Sequence, residues 1–85
     1  MLGVRVSQEF HAMSRHFSGR RLRETRKSRG LPVEHVALAV ERTAYTINEY
    51  EADRAVPPAQ VLGRLADVLG CTIDHFFAGV IDDES

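Results

Sequence analysis

Short helical segments, each closed by its own stop signal, constrain this chain more than any other feature. Ser18 stands before Arg20 to Arg29, a run of Arg, Leu, Glu and Lys that favours helix, and Gly30 follows where a left-handed residue would end it. Pro32 opens the next segment, whose Val33, Val36, Ala37 and Val40 recur at i, i+3, i+4 and i+7. Thr43 is the next N-cap candidate, and Ile47 with Tyr50 supplies the buried side of a third helix running to about Ala52. Asp53 then occupies a position that tolerates positive φ. Pro57 and Pro58 block helix before them and start one after them. Val61, Leu62, Leu65, Ala66, Val68 and Leu69 give a fourth helix closed by Gly70, and Thr72 is expected to cap a fifth, with Ile73, Phe76 and Phe77 plugging the bundle. No helix in this scheme is long enough to be stable alone, so the pieces must fold against one another. No strand pattern, internal repeat or low-complexity segment is read. The predicted fold is therefore all-α, a compact five-helix domain over 18–78, preceded by a flexible arm (1–17) and followed by an acidic tail (79–85).

With 85 residues and 44% apolar content, the chain holds one modest core. No apolar run approaches the roughly 20 residues of a membrane span, and the N-terminus lacks a signal peptide's apolar stretch. Cys71 is the one cysteine, which suits a reducing cytoplasm, and between Leu69 and Ile73 it is expected to be a small buried hydrophobe. Met13 is a candidate alternative translation start.

The net charge of −1 conceals an asymmetry. Up to Arg29 eight basic residues face two acids; from Gly30 onward three arginines face ten acids. An electropositive end of this kind can track phosphates, although an arginine-rich helix face can also be simply solvated.

Two short helices joined by a tight turn, the second capped by Thr43, form the corner of a helix-turn-helix. The second helix would be held down by Ile47 and Tyr50 and would turn Ala44, Tyr45, Asn48 and Glu49 outward. Beyond this corner, the chain resembles the phage-repressor (Cro/XRE) family from Ser18 to Phe77. The residues that carry the resemblance are Leu22-Arg23-x-x-Arg26, Gly30-Leu31, Val36-Ala37, Thr46-Ile47-x-x-Tyr50-Glu51, Pro57, Leu65-Ala66-Asp67-Val68-Leu69-Gly70 and Ile73-Asp74-x-Phe76-Phe77. The resemblance implies a lambda-repressor-like fold and a sequence-specific transcriptional regulator, read here as a repressor, that binds double-stranded DNA as a homodimer. It places Thr43, Ala44, Tyr45 and Glu49 near bases and Asn48 close to the DNA backbone, and Asn48 joins the base-reading candidates because its amide can pair with adenine. Arg20, Arg21, Arg26, Arg42 and Arg54 are the expected phosphate contacts, and Arg26 and Glu51 match an internal salt bridge.

The departures from the family pattern matter. Glu41 occupies the turn position usually held by Gly, and Asp53 the Gly or Asn position after the third helix. Arg42 takes a slot that is usually apolar. Val33 replaces a Gln that commonly bonds phosphate. Glu41, Glu49 and Asp53 would each repel a phosphate backbone, which favours an alternative: a protein-interaction module, adaptor or antitoxin-like, on the same fold.

Enzymatic chemistry has no support. No nucleophile elbow or glycine-rich phosphate loop is present, and His11, His16, His35 and His75 match no metal-ligand spacing. No cofactor or metal is expected. Phe77, with Val80 and Ile81, is the candidate dimer contact, and Arg5 and Arg15 are candidates for a minor-groove reach.

Overall fold

The computed structural model describes residues 15–79. The order is a strand β1 (Arg15–Phe17), four α-helices, a 3₁₀ turn (Ile73–Phe76) and a strand β2 (Phe77–Gly79). The helices are α1 (Gly19–Ser28), α2 (Val33–Ala39), α3 (Ala44–Glu51) and α4 (Ala59–Leu69). The described residues are mostly helical, with four α-helices where five were expected. The fifth fails because Thr72 makes no side-chain capping bond and only four residues follow before the chain extends into β2. That is too short to form an α-helical turn ladder.

The helix starts and stops follow local chemistry. Ser18 Oγ accepts from the Arg21 amide and Thr43 Oγ1 from the Thr46 amide, each satisfying a donor of the first turn. Pro32 and Pro58 occupy the N-cap positions of α2 and α4, where a missing amide costs nothing. All four helices end alike. Gly30, Glu41, Asp53 and Gly70 adopt positive φ of 71°, 60°, 62° and 69°. The following amides, of Leu31, Arg42, Arg54 and Cys71, reach back to the carbonyls of Arg26, Ala37, Glu49 and Ala66. This six-to-one bond satisfies a helix-end carbonyl and turns the chain sharply. Glu41 and Asp53 bear it without a glycine, at a cost of about 1 kcal/mol each.

α2 packs on α3, α1 on α3 and α2 on α4, while the 3₁₀ turn closes against α1 and α4. Leu22, Val36, Val40, Ile47, Val61, Leu65, Leu69 and Phe76 are fully enclosed. Of the expected plug residues only Phe76 serves as one; Ile73 is exposed and Phe77 half-buried. Cys71 is half-buried too, and burial pushes its thiol pKa up.

A two-stranded sheet was not foreseen. β1 and β2 pair antiparallel with Arg15 opposite Gly79 and Phe17 opposite Phe77. The Phe17 and Phe77 rings meet edge to face, 6.3 Å between centroids. Residues 15–17 of the segment expected to be an arm form β1, and Arg15 opens the described residues. Arg15 is exposed and its guanidinium lies along the surface against the 3₁₀ turn: Nη1 donates to Asp74 Oδ1 at 3.2 Å, and Nη2 to the carbonyls of Asp74 and Phe77. Met13, Arg5, His11, Val80, Ile81 and all of the acidic tail but Gly79 lie outside the described residues.

Candidate nucleic-acid interface

α2 and α3 form a corner through residues 40–43, and α3 turns one face inward. Ile47 is fully buried and Tyr50 nearly so. On the opposite side Tyr45, Asn48, Glu49 and Ala52 follow at i, i+3, i+4 and i+7, a continuous outward stripe. Tyr45 is 71% exposed. Thr43 is exposed, but its hydroxyl is engaged with the Thr46 amide and hydroxyl. Ala44 is half-buried at the first turn. The five residues expected near bases are thus brought onto one short element.

Three contacts anchor α3 from behind. Arg26 Nε donates to Glu51 Oε2 at 2.6 Å and Nη2 to Oε1 at 3.1 Å, a forked pair with side chains only 11% and 7% exposed. Arg26 Nη1 also donates to the Leu31 carbonyl at 2.9 Å. The Glu51 hydrogen bond holds the Arg26 guanidinium above its ordinary, already high pKa. All three guanidinium nitrogens of Arg26 are therefore committed inside the fold. The second anchor is the Gly19 amide, which donates to Asp53 Oδ1 at 2.8 Å. The third is backbone proximity. A Cβ on Gly19 would stand 2.2 Å from the Tyr50 carbonyl oxygen and 2.6 Å from that of Glu51. Only glycine lets the first turn of α1 lie on the last turn of α3.

The arginines at the rim divide by partner. Arg20 pairs with Glu24 at 3.2 Å, both well exposed. The Arg21 guanidinium reaches 3.4 Å to the His75 carbonyl, toward the 3₁₀ turn. Arg42 is exposed, and its Nη1 donates to the Glu41 carbonyl at 2.9 Å. Arg54 pairs with Glu49. Arg20, Arg23 and Lys27 share the outer side of α1 with Glu24.

The acids that looked repulsive in sequence are each answered. Glu41 meets Arg64 from α4 at 3.4 Å, Glu49 meets Arg54 at 3.0 Å, and Asp53 accepts from the Gly19 amide. Sequence reasoning missed Gly19, Arg64 and the Glu49–Arg54 pair. The five-residue spacing of Glu49 and Arg54 across a helix end was the one available hint.

A family model described as a helix-turn-helix domain matches residues 19–76, well over half of the chain. The chain belongs to the helix-turn-helix domain family. Within this helix-turn-helix domain, α2 and α3 are the paired helices and residues 40–43 the turn. Multiprotein-bridging factor 1 of Debaryomyces hansenii is 36% identical over 52 residues, 61% of this chain but only 35% of that protein. The chain thus spans about a third of the curated relative it matches. Among solved structures, the P22 c2 repressor bound to a synthetic operator superposes with a TM-score of 0.67 at 23% identity, covering 72% of this chain and 92% of that one. The DNA-binding domain of the same repressor in solution gives 0.68 at 23%, covering 75% and 84%. The clp gene regulator ClgR of Corynebacterium glutamicum gives 0.63 at 24%, covering 65% and 58%. At these identities the structural matches establish the fold.

Among the described residues, no group of three or more His, Cys, Asp or Glu is placed to hold a metal, and His16, His35 and His75 are exposed. No described helix is long and apolar enough to cross a membrane.

Proposed function

We propose that this helix-turn-helix domain is a sequence-specific DNA-binding regulator of transcription, acting as a repressor in the cytoplasm, with α3 laid in the major groove. The observation that carries the reading is the outer stripe of α3: polar, rigidly backed by Arg26, Glu51 and Gly19, and flanked by acids that each already have a partner. A helix entering the major groove needs an anchored inner face and free donors and acceptors outside. Tyr45, Asn48 and Glu49 supply the outer groups, with Thr43 and Ala44 at the helix start, close to the base edges.

Arg20 and Arg42 are exposed at the rim and take the phosphates in this reading, with Arg21 contributing from the 3₁₀ side. Arg26 acts from within, by holding Glu51. No Gln at position 33 is available for the backbone, so affinity for one half-site is modest and falls steeply with salt. A homodimer on two half-sites about one helical turn apart then raises affinity through effective concentration. The P22 c2 repressor, of the same fold, was solved in complex with a synthetic operator, which supports the DNA reading.

The second reading, a protein-interaction module, is favoured by two exposed residues: Leu38, 81% exposed on α2, and Tyr45 on α3. The relative named a bridging factor also leans that way. One experiment separates the two: selection of the purified protein on a random-sequence duplex pool over several rounds, at two salt concentrations. Enrichment of a palindromic site is the expected result. Salt-sensitive binding without enrichment would leave a non-specific DNA protein. Absence of binding at low salt would refute the DNA reading and turn attention to a protein partner at Leu38 and Tyr45.

A further inference from the structure

Glu49 is the one acid of the outer stripe, and its partner holds it in an unusual way. Arg54 Nε donates to Glu49 Oε2 at 3.0 Å, and Arg54 Nη2 stands 3.0 Å from the same oxygen. The fork closes on one oxygen, not across both. Oε1 is left with no hydrogen-bond partner among the described residues. The Glu49 side chain is 20% exposed and that of Arg54 64% exposed. The backbone adds a second tie: the Arg54 amide donates to the Glu49 carbonyl at 2.9 Å in the six-to-one bond that ends α3. Glu49 and Arg54 are thus joined twice, through backbone and side chain, and the positive φ of Asp53 sets their separation.

We propose that Arg54 is a positioning residue for Glu49, holding Oε2 so that Oε1 is presented as a fixed acceptor that selects cytosine at one base pair of each half-site. The proposal rests on the reading that α3 enters the major groove. The chemistry is one-sided. An ionised carboxylate only accepts, cytosine offers its N4 amine as donor in the major groove, and guanine offers N7 and O6, both acceptors. An unpaired carboxylate would swing among rotamers and repel the neighbouring phosphates. With Arg54 in place its charge is offset and its free oxygen has one direction. This differs from a phosphate-binding role for Arg54, which would pull the guanidinium away from Glu49 toward the backbone.

The test is the duplex selection above, run on wild type, Arg54→Ala, Arg54→Lys and Glu49→Gln, with far-UV circular dichroism confirming that each variant folds. The wild type is expected to enrich a site with one conserved cytosine per half. Arg54→Ala should lower the preference for that cytosine by about tenfold, as expected for weakening one good base contact, and leave the other positions unchanged. Arg54→Lys should recover overall affinity but not the preference, because an ammonium lacks the fork that grips one oxygen. Glu49→Gln should lose the preference, since its amide both donates and accepts. If Arg54→Ala weakens binding to all sequences alike, lowers the salt slope by about one and keeps the cytosine, Arg54 is a phosphate contact and the proposal is wrong. Failure of the wild type to enrich any site would instead remove the sequence-specific reading on which the proposal rests.

Discussion

Glycine to alanine inside a helix normally stabilises, and this protein offers two helical positions where the same change should act in opposite directions. Gly63 lies in the interior of α4, and a Cβ built there meets nothing within 4 Å. Alanine should gain about 0.5–1 kcal/mol by removing backbone freedom from the unfolded chain. Gly19 opens α1, where a Cβ would sit 2.2 Å from the Tyr50 carbonyl oxygen. That is short of ordinary contact by about 1 Å, and the obstacle is backbone that cannot rotate away. The first turn of α1 must retreat, stretching the 2.8 Å bond from the Gly19 amide to Asp53 and the 2.8 Å bond from the Ser18 amide to the Phe76 carbonyl. Overpacking costs about 1–3 kcal/mol and one weakened hydrogen bond about 1, against a helix-propensity gain of at most about 1. The net loss should be about 1–3 kcal/mol. For a domain of this size each kcal/mol moves Tm by roughly 4–8 °C, so thermal melts resolve both changes. Gly63→Ala should melt above wild type and Gly19→Ala well below it. A Gly19→Ala protein that melts with or above wild type would refute the claim that α1 and α3 are held in backbone contact.

The remaining predictions concern charge and turn geometry. Glu51→Gln should cost about 3–5 kcal/mol in urea unfolding, because it leaves the enclosed Arg26 guanidinium without its counter-charge, and replacing both partners by apolar residues should recover much of that loss. Glu41→Gly should raise stability by about 0.5–1 kcal/mol: it relieves a positive φ and gives up only a 3.4 Å surface pair with Arg64, which contributes little. A fall in Tm for Glu41→Gly would mean that the Arg64 contact outweighs the backbone strain.

What the sequence revealed about the fold was mostly what is decided within a few residues. Ser18 and Thr43 cap helices because their hydroxyls reach amides three positions on, and Gly30 and Gly70 end them because the stop is a local dihedral. The positive φ of Asp53 was legible from its place after the third helix, whereas that of Glu41 was suggested only by the family's usual turn glycine. The strands were not legible. Three residues show no period, and their partners lie sixty or more positions away. Absent that pairing, the segment from Thr72 reads as another helix, since nothing local announces that Phe77 must extend to meet Phe17. At the site, the outward stripe of α3 follows from Ile47 and Tyr50 facing in. How its acids are answered does not, because Arg64 and the Gly19 amide come from other elements.

Pairing Arg15 with Gly79 has a mechanical consequence. The two positions face each other at the open end of the ribbon, so polypeptide attached before one and after the other departs from a single spot. Tension applied through such attachments loads the ladder one rung at a time, as a zipper is opened, and not all rungs in parallel. The Arg15 side chain, bonded to Asp74 and to the Phe77 carbonyl, acts as the stop at the top of that zipper. A load carried into the chain at Arg15 and Gly79 would reach the helices only after that seam had parted.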